Sequence, residues 1–481
     1  MSPTTLYITI FIYISVLILI SYITGKGANS QTFFSADRNA KWYLVAFGMV
    51  GASLSGVTFI SVPGWVRDTS MTYMPLVVGY FFGYIVISHV LLPIYYKHKL
   101  TSIYEYLGQR FGNSTHKSGS AFFLLSRTIG AGFRLFLMTS VLQTTVFDHF
   151  NIPFSLTVIV ALALIFLYTF KGGMKTIIWT DVLQTAILLI ALIITIWDIA
   201  RHLDFSFADT TIAIAKSPLS NMIIWDDWQS ANHVVKQFVS GIFITIVMTG
   251  LDQDMMQKNL TCKNLKEAQK NVTSYGFAFV PVNILFLSLG VLLILFAQQN
   301  GIELPQRSDQ IYPMLATGGY LSPITSIVFV VGLLAAAYSS ADSALASLTT
   351  AFAVDFVDIQ KQEEKNAKRT RIMIHLGFAT MLTAIILIFN AINDDSVISS
   401  LFTAAGYTYG PLLGIFAIGI FTKWQLKDKL VPFIMIISPV ITFGIKWIIT
   451  TNTAYNFGYE LLLINGAITF GLTAALLRKK K

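Results

Sequence analysis

Charge is what this sequence has least of. Only 12% of its 481 residues are Asp, Glu, Lys or Arg, against about 25% in a soluble chain, too few ionisable side chains to cover globular domains in water. A single cysteine, Cys262, rules out an intramolecular disulfide framework and reads as a free structural thiol. No Gly-x-x-x-x-Gly-Lys-Ser/Thr loop is present, so the chain has no P-loop to cradle a nucleoside triphosphate. No His-Glu-x-x-His zinc motif or paired nucleophile and base occurs in an apolar stretch, which argues against an intramembrane enzyme. What is abundant is apolar: 54% of residues are hydrophobic, with 37 Phe, 20 Tyr and 8 Trp, and the mean hydropathy is +0.66. These figures exclude a disordered chain, a secreted disulfide scaffold and an ordinary cytosolic enzyme, and leave an all-α, multi-pass membrane protein.

A helix needs about 20 apolar residues to cross the hydrocarbon core. Thirteen segments satisfy this: 5–24, 45–64, 73–94, 120–146, 152–169, 177–199, 235–251, 272–297, 324–350, 373–391, 397–421, 431–450 and 458–477. The first has no basic leader and no small-residue cleavage site, so it reads as a retained helix. The net charge of +9 comes from 33 Lys and Arg against 24 Asp and Glu. The basic residues fall in short runs between spans, not on one soluble face, which argues against nucleic acid as a partner and for a lipid bilayer. Loops on one side, with the Arg478–Lys481 tail, hold 25 of the 33 basic residues; the opposite loops hold four, and four lie within spans. By the positive-inside rule the N-terminus is outside and the C-terminus inside. Loops 200–234, 298–323 and 452–457 read as external lids or as solvated connectors. The short loops point to a bacterial inner-membrane protein formed as one polytopic transmembrane domain over 1–481.

Polar and breakable segments mark function in a bilayer, where unsatisfied groups are tolerated mainly around a cavity. The second span, from Gly48 to Gly64, carries four glycines, Pro63 and the hydroxyls of Ser53, Ser55, Thr58 and Ser61. Such a stretch unwinds readily and frees carbonyls for a monovalent cation; the alternative is tight helix packing through small residues. In the ninth span Ser339, Ser343 and Ser347 recur every four residues and stack on one face, widened by Ser340 and Asp342. Membrane serines often bond their own helix carbonyls, but a carboxylate at that depth wants a cation, a proton or an arginine. Asp181, after Trp179, is a second such acid, or else an interfacial carboxylate beside an aromatic anchor. In the fourth span Arg127 is expected to snorkel inward, whereas Arg134 is too central for that and is expected to face protein, a cavity or an anionic substrate. His89 and Lys446 read as satisfied packing residues.

At these residues the sequence resembles the sodium/solute symporter family of sodium-coupled sugar, proline, iodide, monocarboxylate and sialic acid carriers. The resemblance is carried by the Gly51–Pro63 stretch, by Ser102-Ile-Tyr-Glu-Tyr-Leu-Gly-Gln-Arg-Phe111, by Gly172-Gly-Met-Lys-Thr-Ile-Ile-Trp-Thr-Asp181-Val-Leu-Gln184, by Asp252-Gln-Asp-Met-Met-Gln257-Lys258 with Lys266-Glu-Ala-Gln-Lys270, and by Ser339-Ser-Ala-Asp-Ser343. It implies a LeuT-type core of two inverted five-helix repeats, 45–199 and 235–421, with 5–24, 431–450 and 458–477 as peripheral helices. It also implies a sodium site formed by carbonyls of Gly51, Leu54 and Ala336 with the hydroxyls of Ser339 and Ser340. A second sodium site, found in sialic acid carriers, maps to Asp181, Ser339, Asp342 and Ser343. Asp342 replaces a serine of those carriers and either strengthens binding or takes a proton.

Substrate contacts of the sialic acid carriers map to Ser53, Ser55 and Thr58, and Arg134 resembles their carboxylate-binding arginine. Tyr80 replaces a polar amide, which argues against sialic acid itself. The sugar carriers' glutamate, asparagine and lysine lack clear counterparts. The expected function is therefore sodium-coupled import of a small organic anion, a carboxylate or a sialic-acid-like solute, with one or two Na⁺. The alternative is a solute-gated channel or a transporter-like sensor without sodium coupling; a sensor is expected to append a signalling domain, and only a short basic stub follows the last span.

Overall fold

The computed structural model describes residues 3–392 and 397–475. The basic tail Arg478–Lys481 and the last two residues of the expected span 458–477 lie outside the described residues. Among the described residues the chain is helical, with two isolated bridges, Ala40 to Cys262 and Ile224 to His233, and no strand. The principal helices in chain order are α1 (Pro3–Thr24), α2 (Trp42–Thr69), α3 (Met74–Lys97), α4 (Asn113–Leu142), α5 (Phe154–Thr169), α6 (Met174–His202), α7 (Val234–Gly250), α8 (Gln253–Asn259), α9 (Leu265–Gln299), α10 (Ile311–Thr317), α11 (Pro323–Asp355), α12 (Glu364–Ile392), α13 (Val397–Phe421), α14 (Val431–Asn452) and α15 (Leu461–Ala474).

Ten of these helices are long and apolar enough to cross a membrane, or eleven if α7 and α8, which meet at 71°, form one broken span. Two of the thirteen expected spans are thus short helices: α5 has 16 residues and α15 has 14. At 1.5 Å per residue these are about 24 and 21 Å long, against about 30 Å of hydrocarbon. Local chemistry sets several boundaries. The Asn264 side chain accepts from the Glu267 N–H at the start of α9. Ser322 does the same for Thr325 N–H at α11, with Pro323 in the first turn.

Burial separates centre from rim. The most apolar stretch of α2 is 89% buried and that of α11 78%, whereas α1 is 17% and α14 22% buried. The first pair therefore forms the core and the second faces lipid, as Phe433, Val440 and Trp447 on α14, all more than half exposed, illustrate. Small residues bring the core helices together. A Cβ at Gly51 would lie 2.1 Å from Thr185 Oγ1 of α6, and one at Gly48 would lie 2.9 Å from Asp181 Cβ. A Cβ at Gly79 of α3 would meet the Phe238 carbonyl of α7 at 2.2 Å. At one end of the bundle, the loop before α10 packs onto the end of α2, where Arg67 Nη2 donates to the Gln306 carbonyl at 2.8 Å.

Candidate functional site

Two helices that cross the core are broken. In α2 the helical geometry fails at one residue, Ser55, with φ 32° and ψ 170°. A positive φ costs a serine about 1–3 kcal/mol, so the surrounding packing must hold it there. The break falls within the glycine-rich stretch expected to unwind, but at neither a glycine nor Pro63, which stays inside the helix. The second break follows a π turn at Ile246–Gly250, after which α8 starts afresh with Asp252 capping the Asp254 and Met255 N–H groups. Sequence reasoning missed this break. Its signal was present, since Gly250-Leu-Asp252 is a stop followed by an N-cap residue.

Between the breaks lies a cavity of about 90 Å³. All five residues expected to touch solute, Ser53, Ser55, Thr58, Tyr80 and Arg134, line it, together with Arg127, Tyr73, Tyr84 and Tyr275. Its hydroxyls are linked: Ser53 Oγ and Tyr84 OH both bond Tyr275 OH, and Tyr73 OH meets Tyr80 OH at 3.2 Å. Arg134, half-buried, differs from the fully buried Arg127. Among the described residues no carboxylate pairs with Arg134, and its Nε is buried without a hydrogen-bond partner. An unpaired guanidinium in such a wall is a ready partner for an anion.

Beside the cavity, α11 meets both breaks through its serines, all fully or nearly fully buried. Ser340 Oγ donates to the Ala52 carbonyl at 3.1 Å, bridging α11 to the broken α2. Ser339 Oγ turns to Asp181 Oδ1 at 2.5 Å. Ser343 Oγ donates to Asp254 Oδ1, and its N–H to Asp342 Oδ1 at 2.5 Å. Of these four hydroxyls only that of Ser347 bonds within its own helix, to the Ala344 carbonyl at 2.9 Å. Gly51, Leu54 and Ala336 are buried in the same region. Asp342 Oδ2 accepts from Tyr168 OH at 3.0 Å.

Several sequence expectations need correction here. Asp181 is no interfacial carboxylate, being 1% exposed, with its Oδ2 2.7 Å from Lys258 Nζ. Trp179, two residues earlier on α6, points away and is 48% exposed. Lys258, in α8, is a functional candidate that sequence reasoning left unassigned; its clue was a lysine inside the matched Asp252–Lys258 string. Arg127 does not snorkel, because Asp254 is within reach and pairs with it in the interior. Asp252 in turn accepts from Tyr409 OH of α13. His89 is exposed rather than packed, and its ring bonds the Ile85 carbonyl of its own helix at 3.0 Å.

The sodium/sialic acid symporter NanT of Aliivibrio fischeri is 23% identical over 87% of this chain and 83% of its own length. The sodium/sialic acid symporter SiaT of Proteus mirabilis is 24% identical over 87% and 84%. A Na⁺-coupled sialic acid symporter solved in a substrate-bound, outward-open state superposes with a TM-score of 0.84 at 19% identity, covering 98% of this chain and 99% of that one. This likeness establishes the fold. The sequence profile of the sodium:solute symporter family matches residues 33–427, well over half of the chain. The chain therefore belongs to the sodium:solute symporter family: it is a multi-pass membrane transporter with Na⁺ as its coupling ion, not an enzyme.

Proposed function

We propose that the chain imports a small carboxylate-bearing solute by alternating access and holds it in the cavity between the two breaks. The observation that carries the solute's charge is Arg134, a half-buried arginine in the cavity wall whose Nε is enclosed without a partner and which has no carboxylate partner among the described residues. Guanidinium matches carboxylate geometry in two parallel bonds. Ser53, Ser55, Thr58 and Tyr80 supply hydroxyls around it. The two sialic acid symporters named above carry an acid as well. A neutral sugar would leave Arg134 without a counter-charge.

The first Na⁺ is assigned to the carbonyls of Gly51, Leu54 and Ala336 and the hydroxyls of Ser339 and Ser340. Its support is the Ser340 bond to the Ala52 carbonyl, which joins α11 to the broken helix. The second coupling cation is assigned to Asp342 and Ser343 beside Asp181 and Ser339. Lys258 pairs with Asp181, and Asp342 lies within electrostatic reach of both, so two carboxylates share one ammonium, which leaves one negative charge for a further Na⁺ or a proton. Counting α5 and α15 as crossings gives thirteen spans, with the N-terminus outside and the C-terminus inside. The repeats are 45–199 and 235–421, supported by the occurrence of a break in the first helix of each. Each Na⁺ entering down about 100 mV contributes about 2.3 kcal/mol before its concentration gradient is added.

The experiment is uptake of labelled N-acetylneuraminate, lactate and glucose into proteoliposomes with NaCl or choline chloride outside. One or both acids should accumulate only under an inward Na⁺ gradient. Equal uptake in choline would sink the coupled reading, and accumulation of glucose alone would sink the anionic one.

A further inference from the structure

Asp254 occupies a junction that neither the solute cavity nor the cation region accounts for by itself. It is 1% exposed and sits in the first turn of α8, where Asp252 Oδ1 holds its backbone N–H at 2.9 Å. Each of its carboxylate oxygens serves a different helix. Oδ2 accepts from Arg127 Nη2 of α4, and Arg127 lines the solute cavity. Oδ1 accepts from Ser343 Oγ of α11. The next links are Ser343 N–H to Asp342 and, one turn earlier on α11, Ser339 to Asp181. Arg127 is not saturated by this pairing, since its Nε is buried without a partner.

We infer that Asp254 is a positioning residue that couples cation binding on α11 to solute binding at Arg127; this rests on the reading of Ser343 as a cation ligand and of the cavity as an anion site. A cation coordinating the Ser343 oxygen polarises its O–H and strengthens the bond to Asp254. The carboxylate's charge is then drawn toward Ser343, its hold on Arg127 weakens, and the guanidinium turns more readily to a solute carboxylate beside Arg134. Linkage requires the converse, so a solute anion that engages Arg127 leaves Asp254 to Ser343 and tightens the cation by the same factor. A carboxylate that merely tied α8 to α4 would have no need of a bond to α11.

The test is the limiting ratio of solute affinity in saturating Na⁺ to that in choline, measured by calorimetry on the full chain in detergent with N-acetylneuraminate and lactate as probes. Wild type should show a ratio of about fivefold to 150-fold, the usual range of coupling between sites. Asp254→Asn should bring it to within about twofold of unity, and Asp254→Glu should restore part of it. Ser343→Ala cuts the link at its far end and should lower the same limit. Loss of Na⁺ affinity alone moves the Na⁺ concentration at which the ratio levels off, not its limit, so a local effect on the ion site is distinguishable. Should Asp254→Asn fail to give a monodisperse protein, Ser343→Ala decides the question. A variant ratio equal to that of wild type overturns the inference and leaves the transport reading standing. A wild type that binds neither probe, or binds it equally in choline, overturns the functional reading and this inference with it.

Discussion

The Lys258–Asp181 pair offers the sharpest test of how the cation region is held. Its atoms are 2.7 Å apart and both side chains are almost wholly buried. At an effective dielectric of about 20 the attraction is about 6 kcal/mol, before the cost of desolvating both ions. Removing only the lysine, as in Lys258→Met, leaves Asp181 ionised beside Asp342 with the Ser339 hydroxyl as its remaining donor, at an expected cost of about 3–5 kcal/mol. Lys258→Met combined with Asp181→Asn removes both charges and should recover most of that loss, a coupling energy that a double-mutant cycle reads directly.

The single variant should also become sodium-dependent in stability. With Lys258 gone, a Na⁺ finds a free carboxylate and a hydroxyl, and at a hundred times its dissociation constant it returns about 2.7 kcal/mol. The assay is unfolding in mixed micelles, followed by tryptophan fluorescence, in NaCl and in choline chloride at equal ionic strength. A Lys258→Met protein within about 1 kcal/mol of wild type in choline would show that the pair is not held as described. So would a double variant no more stable than the single one.

Arg134→Ala should weaken binding of the transported acid by about 10- to 100-fold through loss of a charge-assisted contact, with Arg134→Lys weakening it less; equal affinities in isothermal titration would remove Arg134 from the site. Gly51→Ala sets a Cβ 2.1 Å from Thr185 Oγ1 and 2.8 Å from Thr185 Cβ, and should destabilise by about 1–3 kcal/mol. Gly377→Ala, with nothing within 4 Å, serves as its control and should be neutral or stabilising by up to about 1 kcal/mol. Burial pushes the Cys262 thiol up to about 12, so thiolate is scarce at neutral pH. Maleimide should label the single cysteine only after unfolding, and rapid labelling of folded protein would contradict its buried position.

The first break and the solute cavity were legible because both are written in local composition. Glycine, proline and hydroxyls crowd Gly48–Gly64, and the resemblance to the sialic acid carriers, outside the matched motifs, points to Tyr80 and Arg134, which line the same cavity. The charge pairs were not legible, because they join helices distant in sequence: Asp181 with Lys258, Arg127 with Asp254, Tyr409 with Asp252. An arginine in a span reads as a snorkelling residue until its partner is seen. The short helices α5 and α15 show the complementary weakness, since hydropathy alone finds an apolar run but not where a helix starts and stops within it. The Ser339 face illustrates a subtler limit. Its period was right, but whether a hydroxyl turns to its own helix or to a neighbour depends on which acceptors lie across the gap, and only Ser347 kept to its own helix.

The formal charges around the two breaks lead to a prediction about stoichiometry. Asp181, Asp252, Asp254 and Asp342 contribute four negative charges; Lys258, Arg127 and Arg134 contribute three positive ones. All but the half-buried Arg134 are enclosed in the protein interior, where a net charge carries a solvation cost of several kcal/mol. Without ligands the region carries one net negative charge and is one positive charge short of neutral. One Na⁺ neutralises it, but one Na⁺ with a monoanionic solute returns it to minus one. A neutral loaded state, the form expected to reorient most readily across the hydrocarbon, requires two monovalent cations for each monoanion, either two Na⁺ or one Na⁺ and one proton. Each cycle should then carry one net positive charge inward. Transient currents from proteoliposomes on a solid-supported membrane should be inward on addition of the acid in NaCl, and uptake should respond to an imposed potassium diffusion potential. Electroneutral uptake, with no current and no response to potential, would mean that one of the four carboxylates is protonated throughout the cycle, and the two-cation count would fail.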